Sequence, residues 1–97
     1  MPTIAVVSTD AARADRVVAA LSRYLQREGR PAEIVVVDPL ALLASVGSFA
    51  VVVALDHVPP TVPVPVVSGM PFVLGTDPRG ALSDLHRALE LARRRGA

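Results

Sequence analysis

Apolar residues in this chain form short uninterrupted runs that alternate with longer segments of mixed polarity. The runs at 3–8, Glu33–Val37 and 49–55 are rich in β-branched residues and too short for helices, so they predict three strands. Residues 34–37 show no polar alternation, which is typical of a strand that is covered on both faces of a parallel sheet. The pattern therefore predicts a parallel sheet between layers of helices.

The segment between the first two strands has helical periodicity and predicts a helix over 11–28. Its apolar residues share one face, and they are Ala14, Val17, Val18, Leu21, Tyr24 and Leu25. Thr9 or Asp10 can cap the first free amides of this helix, and Gly29 supplies a stop. The helix is therefore amphipathic, and we expect its two leucines, Leu21 and Leu25, in the core.

Two further helices are predicted. Asp38 opens a short apolar helix over 39–46. The last helix spans 79–95, with Asp77 as its cap and Pro78 in its first turn. The apolar face of this last helix consists of Leu82, Leu85, Leu89 and Ala92, and we expect Leu85 and Leu89 in the core.

The chain between the third strand and the last helix is rich in proline. Residues 58–65 carry four prolines, which a central strand cannot hold, so they predict an extended loop that leads into a fourth strand at Val66-Val67. Residues 68–71 predict a turn, and residues 72–74 predict a further strand or extended segment.

Strands that alternate with helices need right-handed crossovers, and they predict a small three-layer α/β/α sandwich with a four-stranded parallel sheet in the order 2-1-3-4. In such sheets ligands bind at the carboxyl ends of the strands. Three polar segments follow strands at that edge, and they are Ser8-Thr9-Asp10, Asp56-His57 and Ser68-Gly69-Met70-Pro71. The sequence therefore predicts one candidate site there.

Composition narrows the class of protein. Hydrophobic residues make up 52% and charged residues 20% of the 97 residues, which predicts one globular domain over 1–97. The lack of cysteine excludes disulfides and a thiol nucleophile. A net charge of +1 without lysine, and few aromatic residues, argue against nucleic-acid binding. The longest apolar run is far below the about 18 residues that cross a bilayer, so we expect a cytoplasmic chain without membrane insertion.

One local resemblance points to phosphorylation. Residues 51–60, VVVALDHVPP, are similar to the stretch around the phosphorylated aspartate of receiver domains in two-component signalling. By that resemblance, Asp10 could be a ligand of the magnesium ion that receivers bind. A receiver also uses a lysine at the end of a fifth strand, and this chain has no lysine and no predicted fifth strand.

A second resemblance covers essentially the whole chain. Residues 64–75, VPVVSGMPFVLG, resemble the segment before the final helix in galactitol-type IIB components of the bacterial phosphoenolpyruvate-dependent sugar phosphotransferase system. The opening strand, loop and helix, and the Gly-Arg-Pro before the second strand, line up as well. The resemblance implies a cytosolic phosphocarrier that takes phosphate from a histidine of a IIA partner and passes it, through the membrane-embedded IIC partner, to sugar. No cofactor or metal is expected. The implied partner-facing residues are His57, Ser68, Gly69, Met70, Pro71 and Phe72.

The acceptor position departs from that family. Its members carry a cysteine at the end of the first strand, followed by a glycine- and hydroxyl-rich loop whose amides hold the phosphate. The resemblance places Ser8 at the acceptor, and the matching loop, which has no glycine, is Thr9, Asp10, Ala11, Ala12 and Arg13. A serine hydroxyl ionises less readily than a thiol, and Asp10 and Asp15 repel an incoming phosphoryl group. We therefore expect a degenerate phosphorylation site.

Each candidate residue also has a simpler structural interpretation. Ser8 could bridge groups at a strand end, Asp10 could cap a helix, and Arg13 and Arg16 could belong to a solvated face instead of an anion clamp. His57 could accept phosphate or be an ordinary exposed loop residue. Two functions stay open: a IIB-like component of a sugar phosphotransferase system, or a non-enzymatic regulatory or partner-binding module that keeps the IIB fold.

Overall fold

The structure is a computed structural model that describes residues 2–30, 32–45, 49–58, 62, 64–75 and 78–96. Its elements in chain order are β1 (Thr3–Val7), α1 (Ala11–Arg27), β2 (Glu33–Val37), α2 (Pro39–Ser45), β3 (Val51–Ala54), β4 (Val66–Ser68), α3 (Met70–Leu74) and α4 (Pro78–Gly96). The four strands form one sheet in the order β2-β1-β3-β4, and every neighbouring pair is parallel. This architecture confirms the predicted α/β fold and strand order.

The central strand β1 is paired along both of its edges. It aligns Thr3 with Glu33 on the β2 side and Ile4 with Val51 on the β3 side. Helices also cover both of its faces, so its last four residues are fully buried. Burial on both faces explains why this strand shows an apolar run without alternation. The same expectation for residues 34–37 is wrong, because β2 is an edge strand in which Val36 is 49% exposed and the other three residues are half-buried.

The core lies on the two faces of the sheet. On one face α1 and α4 pack over β1 and β3, and the buried residues there are Ile4, Val6, Ala14, Val17, Leu21, Leu25, Val51, Val53, Leu85, Ala88 and Leu89. On the other face Leu42 of α2 packs against Ala5, Val7 and Val52. The prediction that the leucines of the first and last helices are core residues is confirmed at 21, 25, 85 and 89.

One predicted element is wrong. Residues 72–74 were expected to be extended, but they belong to helix α3, which begins at Met70 and ends at Leu74. Pro71 lies in the first turn of that helix, where its missing N–H costs nothing. Gly75 ends it with a left-handed φ of 71°, and its N–H donates to the Pro71 carbonyl at 2.9 Å. The predicted turn at 68–71 is therefore the last residue of β4, one connecting glycine and the start of this helix.

Other differences concern element ends. β1 stops at Val7 instead of residue 8, because the Ser8 side chain turns back onto the following loop. β3 is shorter than the predicted 49–55 and covers Val51–Ala54. The predicted cap of the last helix, Asp77, lies outside the described residues, and so do residues 59–61 and 63 of the predicted proline-rich loop. Among the residues that are described, no helix has the length and apolarity needed to span a membrane.

Candidate functional site

The carboxyl ends of β1, β3 and β4 meet at one edge of the sheet, as the topology predicts. Leu55 donates its N–H to the Val7 carbonyl at 2.9 Å, and Gly69 donates its N–H to the Ala54 carbonyl at 2.8 Å. The loop after β1 also contacts the segment after β3, because the Thr9 N–H lies 2.7 Å from Asp56 Oδ2. The three polar segments singled out in the sequence are therefore neighbours in the fold.

Ser8 is held by its own loop. Its side chain is buried, with 7% of the residue exposed. The hydroxyl Oγ accepts a hydrogen bond from the Asp10 N–H at 3.0 Å and donates its proton to the Asp10 carbonyl, also at 3.0 Å. The Ser8 N–H completes the β1–β2 ladder by donating to the Val37 carbonyl at 3.2 Å. Ser8 therefore bridges a strand end to the loop that follows it.

Asp10 is the N-cap of α1, as the sequence predicts. Its backbone is extended, and its Oδ1 accepts hydrogen bonds from the Ala12 N–H at 2.9 Å and the Arg13 N–H at 3.2 Å. The negative charge also lies at the positive end of the helix dipole. Ala11, Ala12 and Arg13 form the exposed first turn of this helix. The carboxylate therefore satisfies two of the amides that would otherwise be free at the helix start.

Arg13 is directed toward its own helix cap. Its Nε lies 3.6 Å from Asp10 Oδ2, and both side chains are about half exposed. An ion pair that exposed contributes little to stability, with typical values of about 0–1 kcal/mol. The guanidinium charge is nevertheless beside a carboxylate instead of standing alone, which weakens its attraction for an external anion.

Asp56 was not predicted as a binding partner of the loop. Its Oδ2 accepts the Thr9 N–H and also the Thr9 hydroxyl, whose Oγ1 lies 3.3 Å away. The signal that could have identified this contact is topological, because β1 and β3 are adjacent and the residues after them must lie side by side. A charged acceptor strengthens such hydrogen bonds, so Asp56 fixes the position of the loop.

Four backbone amides of this loop and first turn therefore have acceptors within the chain. Those of Thr9, Ala12 and Arg13 donate to carboxylates, and that of Asp10 donates to the Ser8 hydroxyl. Helix N-termini of this kind bind phosphate through free amides. Here two carboxylates and one hydroxyl of the protein already accept from four of the five amides of residues 9–13 that a phosphate ion could use.

The segment after β4 is tightly packed at its start and exposed at its end. Gly69 is buried, and a Cβ at this position would lie 2.8 Å from Leu55 Cδ2 and 3.0 Å from Val53 Cγ1. A larger residue would therefore require the Leu55 side chain to move and the buried Val53 to shift slightly. At the other end of this helix, Leu74 is 64% exposed.

The other residues expected to face a partner differ in exposure. His57 and Ser68 are exposed, whereas Met70 and Pro71 are half-buried. Phe72 is also half-buried, and its ring packs against the Tyr24 ring with centroids 6.2 Å apart and planes tilted by 53°. The apolar contact between Phe72 and Tyr24 therefore packs the short helix against α1.

Cation-binding groups do not converge at this edge in the described part of the chain. Asp10 and Asp56 are both present, but no three His, Cys, Asp or Glu side chains come close enough together to hold a metal ion among the described residues. A cavity of about 640 Å³ lies at the opposite end of the strands, where Pro2 and Ala50 precede β1 and β3. The chemistry available at the candidate edge is therefore that of backbone amides, hydroxyls, two carboxylates, one guanidinium and one imidazole; the side chains are Ser8, Thr9, Ser68, Asp10, Asp56, Arg13 and His57.

Fold and site together define a small parallel α/β domain whose first loop, at the carboxyl edge of the sheet, is bound by its own carboxylates. This is a class of fold that hosts many functions. Comparison with models of known protein families finds no match to this chain. Comparison with curated proteins finds no match either.

Proposed function

We propose that this chain is a cytoplasmic IIB-like component of a galactitol-type sugar phosphotransferase system that binds its partners without carrying phosphate. The proposal combines the resemblance of residues 64–75 with the geometry of the β1–α1 loop. The observation that carries it is the set of four loop and first-turn amides that donate to acceptors of the chain itself.

The hydrogen bonds and the burial of Ser8 argue against phosphate transfer. Attack on a phosphoryl group needs a lone pair of Oγ aimed at phosphorus and a base that removes the hydroxyl proton. In this loop the proton is directed to the Asp10 carbonyl, which is not a base, and the side chain is 7% exposed. Phosphorylation of Ser8 would break both of its contacts to Asp10. The product would be an ordinary phosphate ester, which is a poor donor to sugar.

The electrostatics of the loop support the same conclusion. An incoming phosphoryl group would meet the carboxylates of Asp10 and Asp56, which occupy the amides of the loop. Like charges at such short range repel, and Arg13 is already beside one of the two carboxylates. Binding of phosphate would require that both carboxylates leave their amide partners.

The surface around α3 is the part of the fold that we assign to partner binding. Leu74 on this helix is exposed. The helix begins next to Gly69, whose N–H donates to the Ala54 carbonyl at the carboxyl edge, and it packs on the later turns of α1 through the contact between Phe72 and Tyr24. A IIA domain that delivers phosphate must approach this same edge of a IIB fold, so the resemblance makes IIA and IIC components the expected partners. Contact with them does not require a working acceptor.

A second candidate is a regulatory or partner-binding module outside sugar transport. It is favoured by the exposed Leu74 on α3, because such a surface can bind a partner whatever happens at Ser8. The two candidates differ in the partner and agree on the surface.

The experiment is a titration of the isotope-labelled chain with a galactitol-type IIA protein, followed by amide chemical shifts. We expect shift changes at the amides of Thr9, Gly69 and Leu74, and weaker binding of Leu74→Ala. The matched control is Leu91→Ala, which truncates a leucine of α4 that is 48% exposed and lies outside the candidate edge. Shift changes centred on Leu91, or equal losses of affinity for the IIA protein in both variants, would contradict the assignment of this surface to partner binding. Unchanged shifts throughout would reject a IIA partner and leave the second candidate.

A further inference from the structure

Strand β2 is an open edge of the sheet. It pairs only with β1, and its other side has no neighbouring strand among the described residues. An open edge presents backbone groups that can pair with another chain. Natural proteins usually protect such edges, and the composition of this one decides what it can bind.

The register shows which backbone groups point outward. The Glu33 N–H donates to the Pro2 carbonyl, and the Val37 carbonyl accepts from the Ser8 N–H. In a parallel ladder alternate residues face the partner strand, so Glu33, Val35 and Val37 bond to β1. The N–H and C=O groups of Ile34 and Val36 therefore point away from the sheet and have no partner in the described chain.

This edge has little of the usual protection, because its one charged residue, Glu33, lies at the start of the strand. Between Glu33 and Val37 there is no proline, lysine or arginine, and the continuous pairing with β1 leaves no bulge. The outward position Val36 has 49% of its surface exposed, and Ile34, Val35 and Val37 are only half-buried. A strand with four apolar residues in a row and free hydrogen-bonding groups is therefore available on the surface.

We infer that β2 pairs with β2 of a second copy of this chain, antiparallel and with a twofold axis at Val35, so that the two sheets join into one of eight strands. In this register Ile34 lies opposite Val36 of the second copy. Both residues have outward groups, so each such pair exchanges two hydrogen bonds, and symmetry repeats the pair. Every outward N–H and C=O of the two residues then has a partner.

Side chains also match in this register. Ile34 and Val36 lie on the α1 face and meet across the seam, while Val35 meets Val35 of the second copy on the other face. Glu33 lies opposite Val37, so the two copies of Glu33 are at opposite ends of the seam. A parallel pairing in register would place them side by side, which like charges oppose.

The self-complementary register favours a second copy as the occupant, because one strand supplies both members of each hydrogen-bonded and apolar pair. The same register places Asp38 of the second copy opposite Ala32. Charges at the ends of the seam are already compensated within each chain, since Arg30 is paired with Glu90 at 3.3 Å and Asp38 Oδ1 accepts the Leu40 N–H. The pairing therefore depends on the backbone groups and the apolar side chains of β2.

The other edge strand, β4, explains why association stops at the dimer. β4 has three residues, follows Pro65 directly and is followed after one glycine by α3. Self-pairing there would place Val66 against the polar Ser68, whose hydroxyl already accepts the Met70 N–H at 3.3 Å. A pairing that uses β2 in both copies leaves only these short edges exposed, so the assembly is closed.

The test measures mass by sedimentation over a wide range of concentration, with proline variants at matched positions. Val36→Pro removes an outward N–H that β1 does not use, so the β1–β2 ladder stays intact. The control is Val66→Pro, which changes a valine of similar exposure, 43%, at an outward position on β4. We expect a dimer for the wild-type chain and for Val66→Pro, and a monomer for Val36→Pro, with unchanged circular dichroism.

Amide exchange of the wild-type chain provides a measurement that needs no variant. Exchange at Ile34 and Val36 should slow in proportion to the fraction of dimer, whereas Val35 and Val37 should be protected at all concentrations. A chain that stays monomeric with fast exchange at Ile34 and Val36 would overturn the inference. So would a dimer that survives Val36→Pro, open-ended growth beyond the dimer, or protection of these two amides only when another protein is added.

Discussion

The N-cap of α1 offers a quantitative test of the loop geometry through Asp10→Ala. The substitution removes the acceptor of the Ala12 and Arg13 amides at 2.9 and 3.2 Å. Both residues are exposed, so water replaces the lost acceptor and the cost is that of a cap rather than of buried unsatisfied groups. Loss of such a cap costs about 1 kcal/mol, within a range of about 0.5–2.

The charge of Asp10 can be separated from its hydrogen bonds. Asp10→Asn keeps a good capping oxygen and loses only the interaction of the charge with the helix dipole and Arg13, which is about 0.3–1 kcal/mol. We therefore expect the free energy of unfolding to fall in the order wild type, Asn, Ala. For a domain of this length, 1 kcal/mol corresponds to a change in Tm of about 4–8 °C.

Urea unfolding followed by circular dichroism measures these differences, with unchanged m-values as the check that the unfolded state is the same. The control is Asp15→Ala, which removes an exposed carboxylate one turn further along α1 and introduces a good helix former. We expect this control to be neutral or slightly stabilising. The capping argument would be refuted if Asp10→Ala had the same urea midpoint as wild type. It would also be refuted if Asp10→Asn lowered the free energy of unfolding as much as Asp10→Ala.

Three further substitutions test the core, the β4–α3 connection and the acceptor. Leu21→Ala should cost about 2–5 kcal/mol, because Leu21 is fully buried, and an unchanged urea midpoint would mean that the assigned helix face is wrong. Gly69→Ala should cost about 1–3 kcal/mol, because its Cβ would lie 3.0 Å from the fully buried Val53 as well as 2.8 Å from the movable Leu55 side chain, and no loss of Tm would contradict the contact with Val53. Ser8→Cys alone should accept little phosphate from a IIA donor, whereas Ser8→Cys with Asp10→Ala should accept more, since two amides become free; equal labelling of both would count against the proposed role of Asp10.

The sheet was predictable because its strands carry a strong local signal. The apolar run of β1 requires burial on both faces, and helices between the strands require parallel pairing, so the order β2-β1-β3-β4 follows from few alternatives. The cap at Asp10 was also predictable, since it depends on residues only two and three positions away. Local sequence determines such features directly.

The features that were missed depend on context. Residues 72–74 are three apolar residues in a row, a pattern that fits a strand and a helical turn equally well, and only Pro71 and Gly75 favour the helix. The contact between Thr9 and Asp56 joins residues 47 positions apart and depends on the side-chain orientation at the sheet edge. Topology places the two residues side by side, but it does not determine which loop amides the carboxylate will bind.

The central claim is that the β1–α1 loop is closed by its own carboxylates and takes no phosphate. The most direct test is intact-mass spectrometry of the wild-type chain after incubation with phosphoenolpyruvate, the general phosphotransferase proteins and a galactitol-type IIA protein. We expect the mass to stay unchanged while a cysteine-bearing IIB protein in the same mixture gains one phosphoryl group. A stoichiometric adduct that Ser8→Ala abolishes would contradict the account, and one that only His57→Ala abolishes would move the carrier role to that histidine.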